Sequence, residues 1–209
     1  MKFLVFVFLF IVFFAPSRVD AATILDVPFS PQAPQNQWRA QPFADACEET
    51  TITMLEAFYN KTKLTPSVVR SRILEFVAYE QKNFGFHRDT NSTFTARLLN
   101  ERTGVVGTIV ENPTAEAIKA EIDAGHPVIF LAYSPLLKNP HYGGIGNPYH
   151  VLLITGYDEN SDQFITNDPG TRFGREYRYP IARLMDANHD FKKPNRANGG
   201  RFMIFTRAK

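Results

Sequence analysis

A chain of 209 residues, 44% hydrophobic and 21% charged, is long enough for one sizeable domain and has the composition of an ordinary globular protein, not a disordered or fibrous one. Its 23 basic and 21 acidic residues leave a formal charge of only +2. Nothing in that balance supplies the basic excess of a nucleic-acid binder, so nucleic acid is not expected as a partner.

In chain order, Lys2 precedes an uninterrupted apolar run from Phe3 to Phe14, which Pro16 and Ser17 break. Val19-Asp20-Ala21 then offers small residues at the spacing a signal peptidase reads. The run is shorter than the ~20 residues that span a bilayer as a helix. A signal peptide over residues 1–21 is therefore expected, followed by a single domain over 22–209 placed outside the cytoplasm, secreted or periplasmic. An uncleaved N-terminal anchor is the alternative. Cys47 is the chain's one cysteine. A lone thiol in an oxidising compartment cannot form an intramolecular disulfide, so it is either buried and inert or kept for its reactivity.

Beyond this point no internal repeat or low-complexity tract interrupts the chain. Pro31 to Gln41 is polar and Pro/Gln-rich and reads as an extended surface segment. Asp45 to Tyr59 reads as a helix with Thr51, Met54, Leu55 and Phe58 on one face, and Asp45 with Glu48 resembles a capping box that starts it. Thr65-Pro66 announces a second helix carrying Val69, Ile73, Leu74 and Val77 on its apolar face. A third runs from Thr90 to Asn100, ending before Gly104. Thr114 to Ala124 is a fourth, with Ile118 and Ile122 inward and Gly125 as its stop. Strands follow at His126 to Tyr133, Tyr149 to Tyr157 and Gln163 to Asn167, the last two joined by a turn within Asp158 to Asp162. Phe202 to Thr206 closes the chain as a strand. Helices first and strands later argue an α+β domain.

The chemistry-bearing residues lie on these elements. A helix beginning at Asp45 puts the Cys47 thiol in the first turn, where the helix dipole and free amides favour thiolate. Glu48 and Glu49 oppose this unless they point away. His150 begins one strand and Asp168 follows the next, so a hairpin brings them together; an Asp there can hold one imidazole nitrogen and leave the other for a thiol. The alternative is a strand-end His beside a turn made by Asn167-Asp168-Pro169-Gly170. Gln41, six residues before Cys47, could donate to an oxyanion formed at the thiol, or be plain polar surface.

Together these residues resemble the papain-like superfamily. More narrowly they are similar to the double-glycine (bacteriocin-processing) peptidases, family thirty-nine of the cysteine class, and their stand-alone bacterial relatives. Leu25-Asp26-Val27-Pro28-Phe29 resembles the family's opening strand, and Gln41-Pro42-Phe43-Ala44-Asp45-Ala46-Cys47 its oxyanion Gln and nucleophile. Tyr149-His150-Val151-Leu152-Leu153-Ile154-Thr155-Gly156-Tyr157-Asp158 looks like its His strand, and Asn167-Asp168-Pro169-Gly170 like its Asp turn. The resemblance implies a papain-like α+β fold with the catalytic Cys at a helix start packed on a C-terminal antiparallel sheet. It implies Cys47, His150 and Asp168 as the triad and Gln41 as the oxyanion donor, in a hydrolase of peptide or isopeptide bonds that forms an acyl-enzyme. Acyl transfer with the same groups, and a non-catalytic peptide-binding domain, are the alternatives. Cys47-Glu48-Glu49 departs from the Cys-Gly-Pro of many relatives, and no attached ATPase segment suggests coupled leader processing.

The remaining histidines, His87, His126, His141 and His189, show no zinc-ligand spacing, and no metal or cofactor is expected. Gly143-Gly144-Ile145-Gly146 reads as a loop beside His150, Trp38 as a packing residue. The basic stretch of Lys192, Lys193, Arg196 and Arg201 reads as a solvated surface compatible with contact to an anionic envelope polymer. The expected partner is a peptide or protein substrate; oligomeric state stays open.

Overall fold

The computed structural model describes residues 22–143, 148–194 and 196–209. The expected signal peptide, and most of the glycine-rich stretch before His150, lie outside the described residues. Among the described residues no helix is long and apolar enough to cross a membrane.

The first helix, α1 (Cys47–Tyr59), starts two residues later than its sequence suggests. Asp45 belongs to a separate 3-10 turn, Phe43–Asp45, and the cap residue is Ala46, with no side-chain cap bond. The capping box does not form, because Glu48 turns inward to a buried hydrogen bond with the Thr90 amide instead of reaching back. Next comes α2 (Pro66–Asn83), where Thr65 Oγ1 accepts from the Val68 amide and Pro66 opens the first turn. Asn91 caps α3 (Ser92–Arg102) in the same manner, through the Phe94 amide. Thr114 caps α4 (Ala115–Asp123), and Gly125 beyond its end takes φ +85°, the left-handed turn that glycine makes without steric cost.

The strands are β1 (Thr23–Ile24), β2 (Val105–Glu111), β3 (Val128–Tyr133), β4 (Tyr149–Asp158), β5 (Gln163–Asn167), β6 (Tyr177–Pro180) and β7 (Phe202–Ala208). All pairings are antiparallel, in the order β2-β7-β3-β4-β5-β6, with β1 added against β4. Leu25 to Phe29, expected as the opening strand, instead lies outside any strand beyond a two-residue β1, with a tight turn in which the Val27 amide donates to the Leu25 carbonyl. The two-residue alternation of β3 and β4 splits the core into two layers. On one face Ile129, Leu131, Val151 and Leu153 meet Ile52 and Leu55 of α1, Phe76 of α2 and Leu98 and Leu99 of α3. On the other, Phe130, Leu152 and Ile154 meet Ile118 and Ile122 of α4, with Leu137 of α5 (Ser134–Leu137) and Leu184 of α6 (Ile181–Ala187). An antiparallel sheet thus lies between an N-terminal helical layer and a smaller second one.

Candidate active site

Cys47 is the first residue of α1 and is 5% exposed. Its thiol donates to Glu48 Oε2 at 2.9 Å, and the Val151 amide lies against the sulfur. Four residues along the helix, Thr51 Oγ1 donates to the Val151 carbonyl at 3.4 Å, so α1 is docked on this one residue of β4 at two points. Burial pushes the thiol well above its ordinary value, the Glu48 and Glu49 carboxyls push it further, and the Val151 amide offsets only part. The helix-start position does not by itself yield a thiolate here.

Glu48 is buried at 1% exposure and fixed on both oxygens, by the Thr90 amide at 2.8 Å and by the thiol. Tyr149 Oη donates to the Thr90 carbonyl at 2.9 Å, which ties β4 to the same loop. Burial, then Glu49, raises the Glu48 carboxyl well above the usual carboxylate range. Glu49 itself faces Glu80 of α2. Written as two carboxylates, all four oxygens lack a donor; with a proton between them the pair makes a hydrogen bond, and burial of both favours the shared proton. Burial pushes Glu80 up to about 8.

His150 is the second residue of β4, and Asp168 follows β5 directly. Leu153 pairs with Asn167, so Asp168 falls near Leu152, on the same face as His150. His150 Nε2 and Asp168 Oδ1 are 2.8 Å apart, and Asp168 is fully buried. A carboxylate only accepts, so Nε2 carries the proton and Nδ1 is left to exchange one. Burial alone would raise the Asp168 carboxyl, but the His150 charge and the bonds from His150, Tyr179 and Tyr142 outweigh it, and the group lies below its ordinary value. No hydrogen bond joins Cys47 to His150. The thiol sits with Tyr149 and Val151 on one side of β4, while His150 alternates to the other.

Gln41 lies on the exposed segment before the 3-10 turn, and its Nε2 donates to Asp45 Oδ2 at 2.6 Å. Asp45 in turn is 3.6 Å from Arg88 Nε. The structure therefore brings His150 and Asp168 into contact, sets Cys47 beside the residue after His150, and gives Gln41 a partner of its own.

Several residues that build this arrangement carry no sequence signal. Gln32 donates its Nε2 to the Phe43 and Ala44 carbonyls, while its backbone amide bonds to the Pro169 carbonyl. It clamps the turn before Cys47 to the turn after Asp168. Asn139, Tyr142 and Tyr179 donate to Asp168 Oδ2, and only tertiary contact collects them. A groove of about 580 Å³ lined by Asp26, Phe58, Tyr59, Lys61 and His126 lies at the far end of α1 and touches none of these groups. Among the described residues no three His, Cys, Asp or Glu side chains are gathered to hold a metal ion.

Residues 24–194 match the Peptidase_C39 like family. Among solved structures, a Bacillus anthracis protein described as a C39-like peptidase superposes with a TM-score of 0.59 at 16% identity, covering 91% of this chain and all of its own. The peptidase domain of Streptococcus ComA, a bi-functional ABC transporter of a quorum-sensing pathway, superposes at 0.50 and 11% identity, over 88% of this chain and 99% of its own. No curated protein matches. At such identities the superpositions carry the fold, and the family match carries the class. With its helices packed on an antiparallel sheet and the family's sequence pattern over most of its length, the chain belongs to the Peptidase_C39 like family and is a cysteine peptidase of papain-like fold.

Proposed function

We propose that the protein is an exported thiol hydrolase that cleaves peptide or isopeptide bonds through an acyl-enzyme, with Cys47 as nucleophile, His150 as base and acid, Asp168 as orienting acid and Gln41 as oxyanion donor. The observation that carries this reading is the buried His150–Asp168 pair, whose 2.8 Å bond leaves Nδ1 as the exchanging nitrogen. Placement outside the cytoplasm rests on the apolar run and small residues of the first 21 positions.

For reaction the thiol must leave Glu48, and because His150 lies on the other side of β4 the start of α1 must shift with it until the sulfur meets His150 Nδ1, which takes its proton. Sulfur then attacks the carbonyl carbon, and the oxyanion is held by the Cys47 amide and by Gln41 Nε2 once it leaves Asp45. His150 returns the proton to the leaving amine. Water, losing a proton to the same imidazole, then splits the thioester and restores the thiol. An amine in place of water would give acyl transfer.

The bond from Cys47 to Glu48 favours a second reading, in which the fold presents a peptide groove without turnover. Alkylation by iodoacetamide separates the two, because Cys47 is the only thiol. In an enzyme, labelling stays rapid below the ~8.5 pKa of a free thiol and His150→Ala slows it by about tenfold or more. Labelling that follows an ordinary thiol titration and ignores His150→Ala establishes the binding domain instead.

A further inference from the structure

The Asp168 carboxylate is surrounded more completely than a single histidine partner requires. Oδ1 accepts from His150 Nε2 at 2.8 Å and from the Gly170 amide at 3.0 Å. Oδ2 accepts from Tyr142 Oη at 2.7 Å, Tyr179 Oη at 2.7 Å and Asn139 Nδ2 at 3.2 Å. Asn139 Nδ2 also donates to Tyr179 Oη at 2.7 Å, so two of the three Oδ2 donors are linked to each other. They arrive from two separate places, Asn139 and Tyr142 from the segment between α5 and β4, and Tyr179 from β6.

A carboxylate held only at Oδ1 can rotate about its C–C bond, carrying the imidazole with it or losing it. Two hydroxyls and an amide on Oδ2 remove that freedom, because both oxygens are then committed. Tyr142 acts on the imidazole directly as well: its ring stands edge-on to the His150 ring, 5.5 Å between centroids and 72° between planes. One side chain therefore fixes both members of the pair.

We propose that Tyr142 and Tyr179 are positioning residues of the catalytic site, holding the Asp168 carboxylate in the orientation that presents Oδ1 to His150 Nε2. This rests on His150 and Asp168 being the working pair. The hydroxyls contribute through the charge they support: a buried carboxylate without its donors takes up a proton at higher pH, and a protonated Asp168 no longer supports an imidazolium. His150, Tyr142, Tyr179 and the nearby Tyr177 are the titratable groups that face it. A purely structural anchor would show in stability and leave the pH response of the thiol unchanged.

The test uses the full chain and the variants Tyr142→Phe and Tyr179→Phe, with His150→Ala as reference. Three quantities are read: the iodoacetamide rate of Cys47 from pH 5 to 8, the melting temperature, and the low-field proton resonance of His150 Nε2–H. Each Phe variant should label several-fold more slowly than wild type at pH 7, with a deficit growing to about tenfold or more toward pH 5. The Nε2–H resonance should shift or disappear. Labelling profiles that superpose on wild type overturn the proposal, whatever the melting temperature does. Should Tyr179→Phe not fold, Tyr142→Phe, whose side chain is only half-buried, is read against the same outcomes. If His150→Ala leaves labelling unchanged, the catalytic reading itself fails. The resonance then decides the positioning role, since its retention in both variants overturns that role and its loss supports it.

Discussion

Glu48 is the residue that sets this site apart chemically. Its carboxyl accepts the thiol proton at 2.9 Å, is closed off from solvent, and is anchored from the far side by Thr90. Forming a thiolate there places two negative charges in contact in a dry environment, or requires the carboxyl to hold the proton instead. Either way Glu48 opposes thiolate formation and works against the activation that His150 supplies. Glu48→Gln keeps the shape and removes the charge. Labelling of Cys47 at pH 7 should therefore rise by about tenfold or more, since each unit by which the thiol pKa falls multiplies the thiolate fraction by ten. A slower rate in Glu48→Gln would mean that the carboxyl assists the nucleophile instead of suppressing it.

The element that matters most is the β4–β5 hairpin with the turn that follows it. The hairpin sets the register that puts His150 and Asp168 on one face, and the turn brings Gly170 against the imidazole. A Cβ at Gly170 would lie 2.8 Å from His150 Cε1 and 3.1 Å from both Nε2 and Tyr142 Cε1. The two imidazole atoms cannot yield without moving the ring relative to Asp168. Gly170→Ala should cost about 1–3 kcal/mol as overpacking, leave a folded protein, and bring Cys47 labelling down toward the His150→Ala level. Wild-type labelling in Gly170→Ala would show that the imidazole tolerates displacement. The helix starts follow a simpler rule: Thr65, Asn91 and Thr114 each cap a helix through its own side chain. By contrast α1, the helix that carries the nucleophile, begins without one.

At the scale of the molecule, the packing of α1 on α2 is tied to pH through Glu49 and Glu80. Both are fully buried, both are raised by desolvation, and Glu48 adds repulsion from one residue away. A carboxyl whose folded pKa lies above its unfolded one binds more protons folded than unfolded over the interval between. Its contribution is thus complete below about 4.5 and is lost as pH rises through the Glu80 value of about 8. The melting temperature should fall steadily from pH 5 to pH 9. Glu80→Gln should flatten that slope and gain at least about 1 kcal/mol at pH 8, read as roughly 2–4 °C in a chain of this size. A melting temperature independent of pH in wild type would show the pair to be solvated.

Much of this organisation is written locally. Thr65-Pro66, Thr114 and Gly125 mark helix ends through groups within a few residues of each other, and the Tyr149-to-Asn167 hairpin is set by alternation and a polar turn. Those are interactions a short stretch of chain makes by itself, which is why His150 and Asp168 could be paired from the sequence and the helices placed to within about two residues. The sequence also singled out Cys47 as the one thiol and Glu48 and Glu49 as a departure beside it. It did not reveal β2, whose Val106 and Ile109 remain partly exposed and blur the alternation, nor the short β6 and α6. The direction each Glu takes was decided only in three dimensions. Glu48 turns inward because Thr90 offers an amide from 42 residues away, and Glu49 because Glu80 of another helix faces it. The same holds for the Oδ2 donors of Asp168 and for the Gln32 clamp, since a buried charge is satisfied by whichever donors the fold delivers, and no local pattern in the chain encodes that delivery.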